Sequence, residues 1–255
     1  MDNLVENEQK LAKEKMLKEI DYHGTKIVEL TIDNVAIVEA MIQENSSYMK
    51  SIDKEAGPKY NKNNKIIYGG SSAFWMTMLK KVLINKENVK YTYEQLIKGA
   101  VESIDRENST HLNSDSCGRC EIINRICKFD KRELIECLRN PQYKEMKLFF
   151  ELERITSADK KARRNISFAS KFCHYACFYI LEDTKYQDNY SIYDKIIKSV
   201  LPLYLNYYEI VDEYDLKDYV QYSRAIDAIR DKLPDRLSRN GLDHLLWYYY
   251  KGRIS

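Results

Sequence analysis

The segment from residue 160 to residue 181, KKARRNISFASKFCHYACFYIL, holds five positive charges and no acid. Four of them, Lys160, Lys161, Arg163 and Arg164, precede a run from Ile166 to Leu181 in which nearly every position is apolar or small. Such a run predicts a helix buried over most of its circumference, and Lys171 is its only formally charged side chain. Burial penalises an ammonium, and the positive end of the helix together with Arg163 and Arg164 repels it further. Lys171 is therefore expected to have a depressed pKa and to exist partly as free amine. A free amine is a nucleophile. The structural alternative is a lysine that packs its stem on Phe168 or Tyr175 and carries its head to water.

Ten residues after Leu181 the chain reads SIYDKIIKSVLPLYL. Asp194 stands three residues after Ser191 at the expected start of a helix, where a carboxylate meets unpaired backbone N–H groups. By itself this is a helix cap. Near the C-terminus, GLDHLLWY places His244 and Tyr248 four residues apart on one helix face. His111, Cys117, Cys120 and Cys127 follow the spacing H-x5-C-x2-C-x6-C. Four such side chains can hold zinc or an iron–sulfur cluster, but one close cysteine pair without a second is a poor match, so the reading is no metal and no cofactor. Cys173 and Cys177 read as small core residues or as the wall of a pocket. The 21 tyrosines invite base stacking, and most of them read as core.

The helix FASKFCHYACFYI, the loop after it and the approach SIYDKII resemble the helix-hairpin-helix DNA glycosylase superfamily, especially its 8-oxoguanine lineage. In that superfamily a hairpin precedes a lysine-bearing helix, and an extended approach ends in an aspartate that caps the next helix. Lys171 and Asp194 fall on those two positions, 23 residues apart. The resemblance covers roughly residues 140 to 250. It implies a nearly all-α, bilobed fold with a cleft between the lobes, and it implies duplex DNA with a damaged or modified base as partner. Lys171 would be the nucleophile of a glycosylase or glycosylase/lyase, with Asp194 assisting. Lys160, Lys161, Arg163 and Arg164 would hold phosphates, and His244 with Tyr248 would line the pocket for the extruded base. The chain departs from the family in one respect: its hairpin segment ADKKARRNIS has no glycine to bring backbone N–H groups against a phosphate. The competing expectation is a non-catalytic helical module that keeps the scaffold to bind DNA or protein, including in phage defence, with Lys171 and Asp194 as a structural ion pair.

The elements that must position these residues are also legible. Eight glycines and four prolines among 255 residues disfavour an all-β sandwich, and helical spacing dominates the chain. Residues 4 to 20 read as an amphipathic helix, residues 24 to 31 as a strand or connector, and residues 56 to 70 as a long loop. Ser71 or Ser72, Thr92 with Gln95, and Asp130 with Glu133 read as helix starts, and Asn140-Pro141 as a break. The organisation read from this is an N-terminal helical region over 1–70 and a glycosylase-like region over 71–255. The latter holds the lysine and aspartate within 158–210 and a pocket helix over 238–251. With 41 Lys+Arg against 39 Asp+Glu, a net charge of +2 excludes a histone-like basic carpet, so any DNA contact must be a local patch. No apolar run approaches membrane-span length and the first ten residues are acidic. The expectation is a cytoplasmic protein with reduced thiols and no membrane partner.

Overall fold

A computed structural model of the chain describes residues 17–48, 57–60, 66–108, 110–112, 118–156 and 162–251. The elements in chain order begin with β1 (Glu19–Tyr22), β2 (Thr25–Val28), α1 (Ile32–Tyr48), β3 (Lys59–Tyr60), β4 (Ile66–Tyr68), α2 (Ser72–Leu83), α3 (Tyr93–Asn108) and α4 (Gly118–Ile126). They continue with α5 (Lys131–Arg139), α6 (Lys147–Glu153), β5 (Arg154–Thr156), β6 (Ala162–Arg164), α7 (Ile166–Ile180), α8 (Lys195–Tyr207), α9 (Tyr219–Lys232) and α10 (Arg239–Tyr250). The protein is nearly all α, as its periodicity predicts; the strands among the described residues form three two-stranded antiparallel ladders. By contacts the chain divides into a terminal unit, Met1–Tyr48 with Asp194–Ser255, and a middle unit, Met49–Tyr193. The sequence reading places its boundary near residue 70 instead, because the pairing of the two chain ends leaves no local mark.

In the terminal unit, β1 and β2 pair across His23 (φ 51°) and Gly24 (φ 77°), a two-residue turn with both central residues left-handed. The helix expected over residues 4 to 20 therefore does not reach Ile20, which pairs with Ile27 in the strand ladder; residues 1–16 lie outside the described part. Buried Asn34 ties the hairpin to α1. It accepts from the Lys18 N–H at 2.9 Å and donates to the carbonyls of Lys18 and Glu29 at 3.0 and 2.7 Å. The Tyr204 hydroxyl, on α8, donates to the Val28 carbonyl at 2.9 Å and lies 3.0 Å from the Tyr250 hydroxyl on α10. Helix α10 approaches α1 closely enough that a Cβ on Gly241 would stand 2.9 Å from a methyl of Val35.

In the middle unit, Ser71 caps α2 by accepting from the Phe74 N–H, Asp130 caps α5, and Thr92 with Gln95 forms a reciprocal capping box on α3. Trp75 of α2 lies over Gly99 of α3 so tightly that a Cβ there would collide with the indole. Helix α5 ends at Arg139 with Asn140 as its C-cap, ahead of Pro141. The helical spacing after Pro141 yields only the short α6, because Lys144, Glu145 and Met146 all take positive φ and Arg154–Thr156 pairs as a strand. Helix α7 packs against α2, α3, α5 and α6 and carries Phe168, Phe172, Cys173, Ala176 and Cys177 into the core. No helix among the described residues is long and apolar enough to cross a membrane.

Candidate active site

Lys171 lies in the first half of α7, half-buried among side chains that are otherwise largely buried. The N-terminus of this helix is held by buried Asn165. Its Oδ1 accepts from the Phe168 N–H at 3.0 Å and its Nδ2 donates to the Thr110 carbonyl at 2.8 Å. Thr110 is in turn fixed by Asp105, which accepts from the Thr110 hydroxyl at 2.7 Å, the Leu112 N–H at 2.9 Å and the Arg119 Nε at 2.7 Å. The lysine helix is thus anchored through a buried carboxylate on α3. Sequence reasoning missed this anchor, because the pairings span 55 and 14 residues and have no local pattern.

One turn of α7 also holds the segment that returns past it. The Tyr193 N–H donates to the Ser170 Oγ at 3.0 Å, while the Ser170 hydroxyl donates to the Ser167 carbonyl at 3.1 Å. Four residues on, His174 Nδ1 donates to the Tyr190 carbonyl at 2.9 Å, and the Tyr190 hydroxyl donates to the Cys137 carbonyl at 2.9 Å. A carbonyl partner fixes the His174 tautomer with its proton on Nδ1. Ser170 and His174 are buried, so these bonds are shielded from water. The residue before Lys171 is therefore bonded to the residue before Asp194.

Asp194 opens the second segment of the terminal unit as the N-cap of α8, and its Oδ1 accepts from the Ile196 N–H at 2.7 Å. Its backbone also hydrogen-bonds the buried Tyr222 hydroxyl, whose pKa is raised well above the ordinary value, chiefly by burial and then by the carboxylate of Asp243.

His244 and Tyr248 come together as the sequence predicts, ring centroids 6.5 Å apart and edge-on. They have a companion the sequence did not reveal: Glu39 of α1, whose Oε1 lies 2.6 Å from His244 Nδ1 across 205 residues. Burial and then the charge of Glu39 push the Tyr248 hydroxyl upward in pKa. Beside them the Lys251 ammonium sits 3.9 Å over the Trp247 ring. Two half-exposed aromatics, an imidazole and a carboxylate thus occupy one face of the terminal unit.

Of the four basic residues, Lys160 and Lys161 lie outside the described residues. Arg163 is exposed and donates to the His111 carbonyl at 3.4 Å. Arg164 binds the buried Glu153 carboxylate through Nε and a terminal nitrogen at 3.0 and 2.8 Å. Arg163 and Arg164 both lie in β6, opposite Ile155 and Arg154 of β5. Cys117 also lies outside the described residues, His111 and Cys120 are exposed, and Cys127 is half-buried. The described residues contain no group of three or more His, Cys, Asp or Glu placed to hold a metal ion. Burial raises Cys137 to about 11, and raises Cys173 and Cys177 well above the usual thiol value.

No family model matches this chain, and no curated protein or solved structure matches it significantly.

Proposed function

We propose that the chain is a DNA glycosylase with lyase activity, acting on a damaged or modified base turned out of the duplex, with Lys171 as nucleophile and Asp194 as its partner. One observation carries the reading: the bond from the Tyr193 N–H to the Ser170 Oγ ties the approach to Asp194 to the turn of α7 that bears Lys171. One peptide bond separates each of these residues from its reactive neighbour. The serine one position before the lysine accepts this bond while its own hydroxyl donates to the Ser167 carbonyl within α7.

The proposed chemistry needs an amine as nucleophile and a carboxylate to assist it. The base must leave the stack, because C1′ of a stacked nucleotide is out of reach. The Lys171 amine forms a bond to C1′, the C1′–N bond to the base breaks, and the base departs with the electron pair and takes up a proton. Asp194 accepts the proton released by the amine and stabilises positive charge on the sugar as it opens to an iminium. Loss of a C2′ proton and of the 3′-phosphate nicks the strand by β-elimination, and water hydrolyses the imine to return the lysine. Arg163 would hold a flanking phosphate, with Lys160 and Lys161 expected to share that work. His244 and Tyr248 would meet the extruded base. The competing reading, a binding module without chemistry, is favoured by Arg164, whose head group is spent on Glu153.

The test is borohydride trapping on oligonucleotides carrying 8-oxoguanine, uracil, a hypermodified cytosine or an abasic site. The native chain should form a covalent adduct on at least one, and Lys171→Gln should form none while still binding the oligonucleotide. Asp194→Asn keeps a good helix cap and should lose base excision while retaining trapping on the abasic site. Adduct formation by Lys171→Gln, or none by the native chain on any substrate, overturns the proposal.

A further inference from the structure

The middle unit carries an open groove of ≈ 670 Å³ between the C-terminus of α2 and the exposed side of α5. Its floor is aliphatic, made by Val82, Leu83, Ile84 and Ile135. Its rim holds Lys86, Lys131 and Arg132, all exposed, and none has an acidic partner among the described residues. The acids at the rim are occupied: Glu87 accepts from Asn85 Nδ2 at 2.8 Å, and Glu136 lies 4.0 Å from Arg139. Lys131 and Arg132 also stand in the first turn of α5, where the helix dipole disfavours cations. A charge kept against local preference points to a partner elsewhere.

The terminal unit presents the complementary feature. Helix α8 ends with Glu209 at φ 53°, the Glu209 N–H bonded to the Asn206 carbonyl and the Ile210 N–H to the Leu205 carbonyl, a Schellman ending. The loop that follows is closed by the Lys217 N–H on Asp215 Oδ1 and by Asp218, which caps α9. On this ordered scaffold Val211 is 92% exposed, flanked by the exposed acids Glu209, Asp212, Glu213 and Asp215, with no basic residue from 206 to 216. An aliphatic side chain held in water by ordered backbone and ringed with acids matches an aliphatic groove whose lining carries four bases, Lys86, Lys131, Arg132 and Arg139, against two acids, Glu87 and Glu136.

We infer that the groove of one copy of this chain docks the Glu209–Asp215 loop of a second copy, Val211 on the aliphatic floor and the loop acids against Lys86, Lys131 and Arg132. Nucleic acid fits the groove less well: no lining side chain is aromatic, so bases have no stacking platform, and a phosphate strand gains nothing from an aliphatic floor. The contact joins two different surfaces, so it is head-to-tail and not self-complementary, and its small size makes it weak and salt-sensitive.

Sedimentation velocity of the full chain up to about 1 mM should show the average mass rising above 30.2 kDa with concentration at low salt, and returning to it at high salt. Lys131→Glu with Arg132→Glu removes the groove, and Val211→Ser with Glu213→Lys removes the loop. All four positions are exposed, so both variants should fold, which circular dichroism checks. Each variant alone should stay monomeric, and an equimolar mixture should form a 1:1 heterodimer, because each retains the half the other lacks. A native chain that stays monomeric at low salt, variants that associate as the native chain does, or a mixture that fails to pair overturns the inference. Loss of duplex DNA binding in the groove variant with self-association intact also overturns it.

Discussion

Replacing Asp105 tests whether the lysine helix is anchored through a buried carboxylate. The side chain is 3% exposed and accepts from the Thr110 hydroxyl, the Leu112 N–H and the Arg119 guanidinium, the last at 2.6 Å at its closest. Asp105→Ala leaves the Thr110 hydroxyl and the Leu112 N–H buried without an acceptor, each worth about 1–3 kcal/mol. Arg119 is about one-third exposed and regains water, so its share is discounted to below about 1 kcal/mol. The sum is a loss of about 2–7 kcal/mol. Asp105→Asn keeps an oxygen for the two neutral donors and loses only the charged pairing, so it should cost no more than about 1 kcal/mol. Urea unfolding reads the difference as a shift in midpoint at constant slope. Because Thr110 in turn receives Asn165, Asp105→Ala should also speed hydrogen exchange of the first-turn amides of α7. A loss below about 1 kcal/mol for Asp105→Ala, equal losses for the two variants, or unchanged exchange in α7 would refute the anchoring argument.

Thiol reactivity and salt dependence supply two further checks. At pH 8 iodoacetamide should label Cys120, which is exposed, ahead of half-buried Cys127, while Cys137, Cys173 and Cys177 should label only in urea. Native Cys137 holds its proton up to about 11 against an ordinary 9.0, so its contribution to stability is complete below pH 9 and disappears as pH rises toward 11. Labelling of Cys173 in the native protein would contradict the packing of α7. In duplex binding, Arg163→Ala should lower the slope of log affinity against log salt by about 0.9. Arg164→Ala should instead lower stability, because it leaves Glu153 buried and unpaired; a reduced slope for Arg164 and none for Arg163 would reverse their roles.

What could be read in the sequence is what is encoded over a few residues. The caps at Ser71, Asp130 and Thr92, the end of α5 before Pro141 and the span of α7 each depend on side chains within four positions of the backbone they serve. The face shared by His244 and Tyr248 was legible for the same reason. Glu39 beside His244, Asn165 on Thr110 and Arg119 on Asp105 were not, since each pairs residues whose adjacency exists only after folding. The pairing of β5 with β6 was hidden by the basic composition around β6, which reads as a solvated helix start. The terminal unit was missed because its two segments lie 145 residues apart, Tyr48 closing the first and Asp194 beginning the second.

The position of that last boundary bears on the chemistry. The middle unit ends at Tyr193 and the terminal unit resumes at Asp194, so the residue proposed to assist Lys171 is the first of its segment. Within the middle unit, a buried serine and a buried histidine on α7 hold residues 190 and 193, the last stretch of chain before Asp194. An apolar helix that needed only to fill a core would gain nothing from polar side chains at these two positions, each of which must be satisfied to avoid a penalty. Their use as a clamp beside Lys171 is what separates α7 from an ordinary core helix. Ser170→Ala, which removes the clamp and leaves the lysine untouched, should therefore reduce base excision far more than it reduces trapping on a pre-formed abasic site. Equal losses in the two assays would mean that the clamp serves stability alone.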